Sequence, residues 1–202
     1  PKLAALLDSQ NTVLLYAVPW PPQGIYSKKP IASAADMKGI KFRSYNAATA
    51  RLAELTGAVP VQIEAAELSQ ALATGVAESF ISSGSTGYDT KVWEQLGYFY
   101  DVQAWLPRNT IFANKAAWAK LSEPMRAAVT TCAGEAEARG TAKSEELTKW
   151  YLEQLAKNGM TVGAPSEAFK ADLARIGATM TEEWLKRAGA DGQAIVDAFR
   201  KL

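Results

Sequence analysis

Histidine is absent from the 202 residues of the chain, and cysteine occurs once, as Cys132. Without histidine the chain cannot carry a Ser-His-Asp or Cys-His nucleophile system, and it lacks the side chain that titrates near neutral pH. A single cysteine excludes an internal disulfide and a metal cluster held by thiolates. Carboxylate or lysine chemistry stays available. These absences favour a binding protein over an enzyme, and we expect no catalytic residues, no metal and no cofactor.

Long apolar runs and a strong net charge are also missing. No apolar run approaches the roughly 20 residues that cross a bilayer, so we do not expect the chain to span a membrane. The 22 basic and 21 acidic residues nearly cancel. No basic tract is interleaved with aromatic residues, which argues against a nucleic-acid partner. The 48% of hydrophobic residues is typical of a globular protein with a sizeable core.

The first half of the chain alternates between segments typical of strands and segments typical of helices. Such alternation predicts βαβ units with a largely parallel sheet, and hence an α/β fold. Residues 20–26 and 82–87, which are rich in proline, glycine or serine, are expected to form loops. The predicted strands are 11–18, 39–43, 59–63, 76–81, 98–106 and 111–113, and the predicted helices among them are 47–55 and 67–74.

The second half of the chain is predominantly helical. Ser122 is placed to cap a helix that begins near Glu123 and continues to Gly159. This helix greatly exceeds the usual length of about 11 to 12 residues. It cannot pack within one small domain, so we expect it to bridge two lobes. We therefore divide the chain into an α/β lobe with hinge strands (1–113) and a long bridging helix with a mostly helical segment that completes the other lobe (114–202).

Arg43 is the leading candidate for a functional residue. It ends the predicted strand 39–43, just before Asn46 and the helix that Asn46 can cap. In open α/β sheets, ligands bind at the carboxyl ends of the strands. A guanidinium beside the free amides of a helix amino end suits a carboxylate or a phosphate. The alternative is that Arg43 pairs with a structural Asp or Glu, as strand-end arginines often do.

Serine and aromatic residues are expected near the same edge of the sheet. Ser82 and Ser83 follow a predicted strand, where their hydroxyls and amides could bind an anion in a backbone nest; a flexible turn is the alternative. Trp20, Tyr45 and Trp105 fall in loops or at strand ends, where they could line an apolar part of a ligand or simply pack between lobes. The chain has neither a phosphate loop nor a dinucleotide-binding glycine motif, which argues against a nucleotide enzyme.

Several motifs together resemble the solute-binding proteins of TRAP transporters, the DctP-like family. The stretch Asp-Met-Lys-Gly-Ile-Lys-Phe-Arg (36–43), followed by Ala-Leu-Ala-Thr-Gly-Val (71–76), is the most specific part of the resemblance. Shorter matches lie at 29–31, 57–61 and 114–118. The resemblance runs nearly end to end. It implies that roughly the amino-terminal third of the family lies outside this sequence, and the abrupt start at Pro1 agrees with that expectation.

The resemblance implies a two-lobe periplasmic binding protein-like fold, with hinge strands and a long bridging helix, that closes over an organic acid. Arg43 corresponds to the family arginine that forms a salt bridge with the substrate carboxylate. Gln23 occupies a position where some relatives carry a second arginine, so we expect less positive charge on the ligand here. The resemblance implies further contacts at Asn46, Ser82, Ser83 and Trp105.

We therefore expect a periplasmic receptor that captures a small organic acid and delivers it to the membrane subunits of a TRAP transporter. One arginine, a glutamine, serines and nearby tryptophans suit an aromatic or 2-oxo monocarboxylate. The expected ligand-binding residues are Arg43, Gln23, Asn46, Ser82, Ser83, Trp105, Trp20 and Tyr45. Two alternatives stay open: an enzyme that acts on a small carboxylic acid, and a ligand-sensing module that serves no transporter.

Overall fold

The computed structural model describes residues 2–201, which form eight strands, seven α-helices and short 3-10 turns. The strands are β1 (Thr12–Pro19), β2 (Gln23–Ser27), β3 (Lys41–Ser44), β4 (Val59–Gln62), β5 (Ser79–Ser83), β6 (Tyr98–Trp105), β7 (Arg108–Asn114) and β8 (Thr161–Gly163). The helices are α1 (Lys2–Ser9), α2 (Ala47–Thr56), α3 (Leu68–Ala73), α4 (Gly84–Asp89), α5 (Lys115–Ala119), α6 (Glu123–Lys157) and α7 (Glu167–Phe199).

Six of the strands form one mixed sheet in the order β4-β3-β5-β2-β6-β8. β3 runs parallel to both β4 and β5, and β6 runs parallel to β8. β2 lies near the centre and runs antiparallel to both of its neighbours, β5 and β6. The prediction of a largely parallel sheet is therefore right toward both edges and wrong at the centre. The other two strands, β1 and β7, pair with each other in an antiparallel ribbon.

The loop predicted over residues 20–26 is right for 20–22 and wrong for 23–26, which belong to β2. All five of its residues are buried. At Gly24, a Cβ would lie 2.3 Å from Phe99 Cζ and 2.5 Å from the carbonyl oxygen of Tyr100, so only glycine fits. The segment lacks the run of β-branched residues that marks a strand. It becomes a strand because β5 and β6 pair with its two edges.

The loop predicted over residues 82–87 is also wrong. β5 continues through Ser83, and Gly84 begins α4. A Cβ at Gly84 would lie 2.9 Å from the Cβ of Tyr151 in α6. The absence of a side chain at Gly84 therefore permits α4 to pack closely against α6 and holds the end of β5 beside the long helix.

α2 follows β3 directly, as predicted. The Oδ1 of Asn46 accepts a 2.9 Å hydrogen bond from the amide of Thr49, so Asn46 is the predicted cap. The helix ends at Gly57, whose φ of 77° is the left-handed conformation that favours glycine. The segment between Arg43 and the first turn of α2 is thus short and fixed at both ends.

α6 is the predicted long helix, and its 35 residues span about 52 Å at 1.5 Å per residue. Near its middle it packs against the ribbon, where the Glu137 carboxylate accepts a 2.9 Å hydrogen bond from the amide of Ala17 in β1. Near its end it packs against the six-stranded sheet, where Leu155 is fully buried. The helix therefore connects the ribbon to the sheet. Cys132, earlier in α6, is exposed.

Two clusters of buried side chains cover the two faces of the sheet. One contains Phe80 and Leu155, so α6 contributes to it. The other contains Phe42 and Phe169, so α7 contributes to it. β8 therefore adds a strand to the sheet that the first half of the chain forms, and α7 packs on one face of it. The division of the chain at 113/114 stays a prediction. Within residues 2–201, none of the helices has the length and apolar character needed to cross a membrane.

Candidate functional site

The Arg43 guanidinium is buried, and its two Nη atoms have no hydrogen-bond partner within residues 2–201. Arg43 lies on β3 between β4 and β5, and only 5% of it is exposed. Its Nε donates a 2.9 Å hydrogen bond to the carbonyl oxygen of Ile63. Within residues 2–201, neither Nη has a hydrogen-bond partner and the guanidinium forms no salt bridge. The alternative that Arg43 pairs with a structural carboxylate is therefore not found in the described part of the chain.

The free Nη atoms of Arg43 are not sealed in the core. Among the buried side-chain nitrogens and oxygens of residues 2–201, only Ser44 Oγ lacks both solvent contact and a hydrogen-bond partner. Burial lowers the pKa of Arg43, whereas nearby Tyr45 and Glu64 raise it. An arginine nevertheless stays charged in proteins. The site therefore holds a largely desolvated positive charge whose unpaired Nη donors keep some contact with solvent.

Tyr45 connects Arg43 to Gln23. The Arg43 Cζ lies 5.1 Å from the centroid of the Tyr45 ring, within the range of a cation–π contact. The Tyr45 hydroxyl donates a 2.8 Å hydrogen bond to Gln23 Oε1. Burial raises the pKa of Tyr45, against smaller opposing effects of Gln23 and Arg43, so the hydroxyl keeps its proton at neutral pH. Three of the predicted site residues therefore form one continuous group, here called the Arg43–Tyr45–Gln23 group.

Strand register brings Ser83 and Trp105 to either side of Gln23. In the sheet, Gln23 of β2 pairs with Ser83 of β5 on one side and with Trp105 of β6 on the other. β5 also lies beside β3, where Arg43 pairs with Phe80. The ends of β3 and β5, the start of β2 and the end of β6 therefore meet at one edge of the sheet, which is where ligands bind in open α/β sheets.

The hydroxyls of the predicted serines are engaged within the protein. Ser82 Oγ donates a 2.8 Å hydrogen bond to Thr86 Oγ1. Ser83 Oγ and Ser85 Oγ lie 2.7 Å apart and share a hydrogen bond. The carbonyl oxygen of Ser83 accepts a 2.9 Å hydrogen bond from the Tyr26 hydroxyl. The segment forms the junction between β5 and α4, and ligand contacts by Ser82 and Ser83 stay predictions.

Two predicted residues, Asn46 and Trp20, make no hydrogen bond or ring contact with the Arg43–Tyr45–Gln23 group in residues 2–201. Asn46 has an exposed side chain whose Oδ1 caps α2. Trp20 is 41% exposed, and its Nε1 donates a 2.9 Å hydrogen bond to Asn109 Oδ1. Ligand contacts by these two residues stay predictions.

Two cavities border the site without including Arg43 or Gln23. One, of about 1150 Å³, lies between α2, the end of β6 and α7, and Trp105 is part of its lining. Its Arg51 already forms hydrogen bonds of 3.0 and 2.7 Å with the Glu183 carboxylate. The other, of about 310 Å³, is lined by Trp20 among others. Because a free guanidinium attracts an anion more strongly than a paired one, we place the candidate site at Arg43.

One contact that shapes the site, and one buried polar atom next to it in the chain, could not be predicted from the sequence. The carbonyl oxygen of Ile63 accepts the hydrogen bond that orients the Arg43 side chain. The only indication of this contact in the sequence is that 39–43 and 59–63 are both predicted strands. Ser44, whose Oγ is buried without a partner, directly follows Arg43 on β3. Because side chains alternate along a strand, the sequence predicts only that Ser44 faces the opposite side of the sheet from Arg43. Nothing in the sequence indicates that its hydroxyl is buried without a partner.

Comparison with known proteins identifies the family. Residues 3–187 match the family described as bacterial extracellular solute-binding protein, family 7, or DctP. The chain belongs to the DctP family. The resemblance carried by the motifs at 36–43 and 71–76 is thereby confirmed.

Solved structures of TRAP solute-binding proteins and related solute receptors superpose closely on this chain. A TRAP solute-binding protein from a marine metagenome, specific for pyroglutamate, is 57% identical with a TM-score of 0.96. DctP6 of Bordetella pertussis, an extracytoplasmic solute receptor that binds pyroglutamic acid, is 50% identical with a TM-score of 0.97. DctP7 of the same organism, which also binds pyroglutamic acid, is 44% identical with a TM-score of 0.96. These similarities confirm the two-lobe α/β fold.

The chain spans only part of each of these relatives. The metagenome protein and DctP6 align with 100% of this chain, which covers 66% and 67% of their own lengths. DctP7 aligns with 99% of this chain, which covers 66% of it. The outer membrane transporter protein TsaT of Comamonas testosteroni is 28% identical over 190 residues, which are 89% of this chain and 55% of that protein. The activity of a whole receptor is therefore treated below as a proposal.

Proposed function

We propose that this chain belongs to a periplasmic receptor that binds a small carboxylate at Arg43 and delivers it to the membrane subunits of a TRAP transporter. The observation that carries the proposal is the buried Arg43 guanidinium, which has two free Nη atoms and no salt bridge within residues 2–201. Membership in the DctP family supports the receptor role, because that family is described as extracellular solute-binding.

The binding energy follows from the state of Arg43 before the ligand arrives. Folding has already removed most of the water around the guanidinium, so less of that desolvation cost falls on the binding of a carboxylate. Each hydrogen bond to a charged group contributes about 1.5 to 3 kcal/mol. Two parallel bonds from the Nη atoms, together with apolar burial, support micromolar affinity, near −8 kcal/mol.

Pyroglutamate is the first candidate for the ligand. Three solved relatives, at 57%, 50% and 44% identity, carry it or bind it. Pyroglutamate has one carboxylate, which can bind Arg43, and one neutral lactam amide. A neutral amide suits the uncharged Gln23 better than a second charged group on the ligand would. Pyroglutamate is neither aromatic nor a 2-oxo acid, and the aromatic or 2-oxo monocarboxylate expected from the sequence becomes the second candidate in the same test.

Delivery requires the receptor to signal that it is loaded. In two-lobe receptors this happens when the lobes close around the ligand. Here α6 joins the ribbon to the sheet that carries Arg43. We infer that a carboxylate bound at Arg43 draws the other lobe toward this edge of the sheet, and that the membrane subunits recognise the closed form.

The proposal is tested by calorimetric titration of the full-length gene product with pyroglutamate, benzoate and 2-oxobutyrate. Arg43→Met should weaken binding of the preferred acid more than about a hundredfold, since two charge-assisted bonds are lost. Arg51→Met is the matched control, because Arg51 lies on the same lobe but is already paired with Glu183. Loss of binding in the control but not in Arg43→Met would place the ligand in the neighbouring cavity and overturn the assignment.

The two alternatives predict different outcomes in the same preparation. An enzyme that acts on a carboxylic acid would convert the ligand, which NMR of the incubated acid would reveal. A sensing module would bind the acid but would not support its uptake by vesicles that contain TRAP membrane subunits. The receptor proposal expects unchanged ligand and uptake that depends on Arg43.

A further inference from the structure

We propose that Tyr45 is a positioning residue, which holds the Gln23 amide so that its NH2 group faces the ligand. The site then selects carboxylates that carry a second hydrogen-bond acceptor, such as the carbonyl of a cyclic amide. This inference rests on the proposed function, since it assigns the second polar contact of a ligand whose carboxylate binds Arg43.

The first step is the direction of the Tyr45–Gln23 hydrogen bond. A tyrosine hydroxyl carries one proton, and here it donates that proton to Gln23 Oε1 over 2.8 Å. An amide turned the other way would present its NH2 group to the hydroxyl, and Tyr45 would have to accept instead. With Oε1 engaged, Nε2 is directed away from Tyr45.

The second step is that neither partner can easily move. Gln23 is only 7% exposed and lies on β2, which is paired on both edges. The Tyr45 ring lies against the Arg43 guanidinium, with 5.1 Å between Cζ and the ring centroid. Arg43 is in turn fixed by its hydrogen bond to Ile63. The orientation of the amide is therefore set by the protein before a ligand arrives.

The third step concerns the Gln23 Nε2 group, which is the part of the amide that Tyr45 does not bind. Gln23 Nε2 has no hydrogen-bond partner within residues 2–201. Within residues 2–201, Ser44 Oγ is the only side-chain nitrogen or oxygen that is both fully buried and without a partner. Gln23 Nε2 therefore keeps contact with solvent, as the Nη atoms of Arg43 do. The Arg43–Tyr45–Gln23 group therefore has unpaired donors on Arg43 and on Gln23, while the Gln23 amide oxygen is bound to the Tyr45 hydroxyl.

Two donors from different residues select a ligand with two acceptors. A carboxylate satisfies Arg43, and a carbonyl oxygen elsewhere on the ligand can satisfy Gln23 Nε2. A lactam acid such as pyroglutamate has both. Cyclopentanecarboxylate has the same ring size and the same carboxylate but no second acceptor, so it would leave the Gln23 donor unpaired when water is excluded, which is costly.

The experiment compares these two acids on the full-length gene product by calorimetry, for wild type, Tyr45→Phe, Gln23→Met and the double variant. The quantity of interest is the preference, the Kd for cyclopentanecarboxylate divided by the Kd for pyroglutamate. Tyr45→Phe keeps the ring over Arg43 and removes only the hydroxyl. We expect it to lower the preference about fivefold, in line with one neutral hydrogen bond, while the Kd for cyclopentanecarboxylate changes less than twofold.

The remaining outcomes separate this inference from the proposed function. Gln23→Met should lower the preference at least as far, and the double variant no further, because both changes act on one contact. If Tyr45→Phe weakens both acids by the same factor, or leaves the preference unchanged, Tyr45 is only structural and the inference is overturned. If the wild type binds neither acid, the inference is overturned, whereas the proposed function still stands when benzoate or 2-oxobutyrate binds in a way that depends on Arg43. Thermal unfolding of each variant reports whether it is folded.

Discussion

The Nε of Arg43 donates a 2.9 Å hydrogen bond to the carbonyl oxygen of Ile63, and this bond orients the guanidinium so that both Nη atoms stay available. The bond joins β3 to the residue that follows the neighbouring strand β4. A lysine at this position has no equivalent of Nε and no planar fork. The geometry of the site therefore depends on arginine and not only on positive charge.

Arg43→Lys should weaken binding of the preferred carboxylate at least about tenfold, because one charge-assisted hydrogen bond and the fixed orientation are lost. Calorimetric titration measures the effect. Lys41→Arg is the matched control, since Lys41 is an exposed residue at the start of the same strand. Equal affinity in Arg43→Lys and wild type would mean that a point charge is sufficient and that the bidentate geometry is not used.

Gly24→Ala should destabilise the protein by about 1 to 3 kcal/mol, the usual cost of overpacking a core. The reason is that the added methyl group would lie 2.3 Å from Phe99 Cζ and 2.5 Å from a backbone oxygen that cannot move aside. Urea unfolding followed by circular dichroism measures the loss. Gly163→Ala, also in a strand, is the control, because a Cβ there would meet no atom within 4 Å. Similar stability of the two variants would show that β2 is less tightly packed than described.

The elements that could be predicted are those specified by local sequence. β3, the Asn46 cap and α2 lie within residues 41–56, and a strand-like segment, a cap residue and Gly57 mark them one after another. The long helix α6 was likewise predicted from its spacing and from Ser122. In these segments the local signals and the tertiary structure agree, so Arg43 was placed correctly at the end of a strand.

The elements that could not be predicted depend on contacts between distant residues. β2 is a strand because β5 and β6 pair with it, and its own residues carry the signals of a loop. The contact between Tyr45 and Gln23 joins residues that are 22 positions apart. With residues 23–26 predicted as a loop, neither the register that sets Gln23 beside Ser83 nor this hydrogen bond follows from the sequence.

Asn46→Ala should destabilise the protein by about 1 kcal/mol, the typical cost of losing an N-cap. The side chain accepts a 2.9 Å hydrogen bond from the Thr49 amide, and Thr49 Oγ1 accepts one of 3.2 Å from the Asn46 amide in return. Asn46→Ser keeps a capping oxygen and serves as the control, with stability expected within about 0.5 kcal/mol of wild type. Urea unfolding distinguishes the two, and equal losses in both variants would contradict the capping role.

Glu183→Gln should make the stability of the protein depend less on pH in the acid range. The hydrogen bond and charge of Arg51 lower the pKa of Glu183 below its ordinary value of about 4.5. A carboxyl whose pKa is lowered by folding stabilises the folded state above its unfolded pKa, and this contribution is lost as pH falls through the folded pKa. The wild type should therefore lose this contribution below about pH 4.5, whereas Glu183→Gln lacks it at every pH.

The comparison that isolates this effect is Glu182→Gln, which removes one carboxylate from the neighbouring exposed residue, for which residues 2–201 provide no salt bridge. Urea unfolding of wild type and both variants is measured at half-unit steps from pH 7 to pH 3. We expect the curves of wild type and Glu183→Gln to converge as pH falls, because protonation of Glu183 breaks the same contact with Arg51 that the substitution removes. Parallel curves would show that the link between α2 and α7 does not depend on this carboxylate.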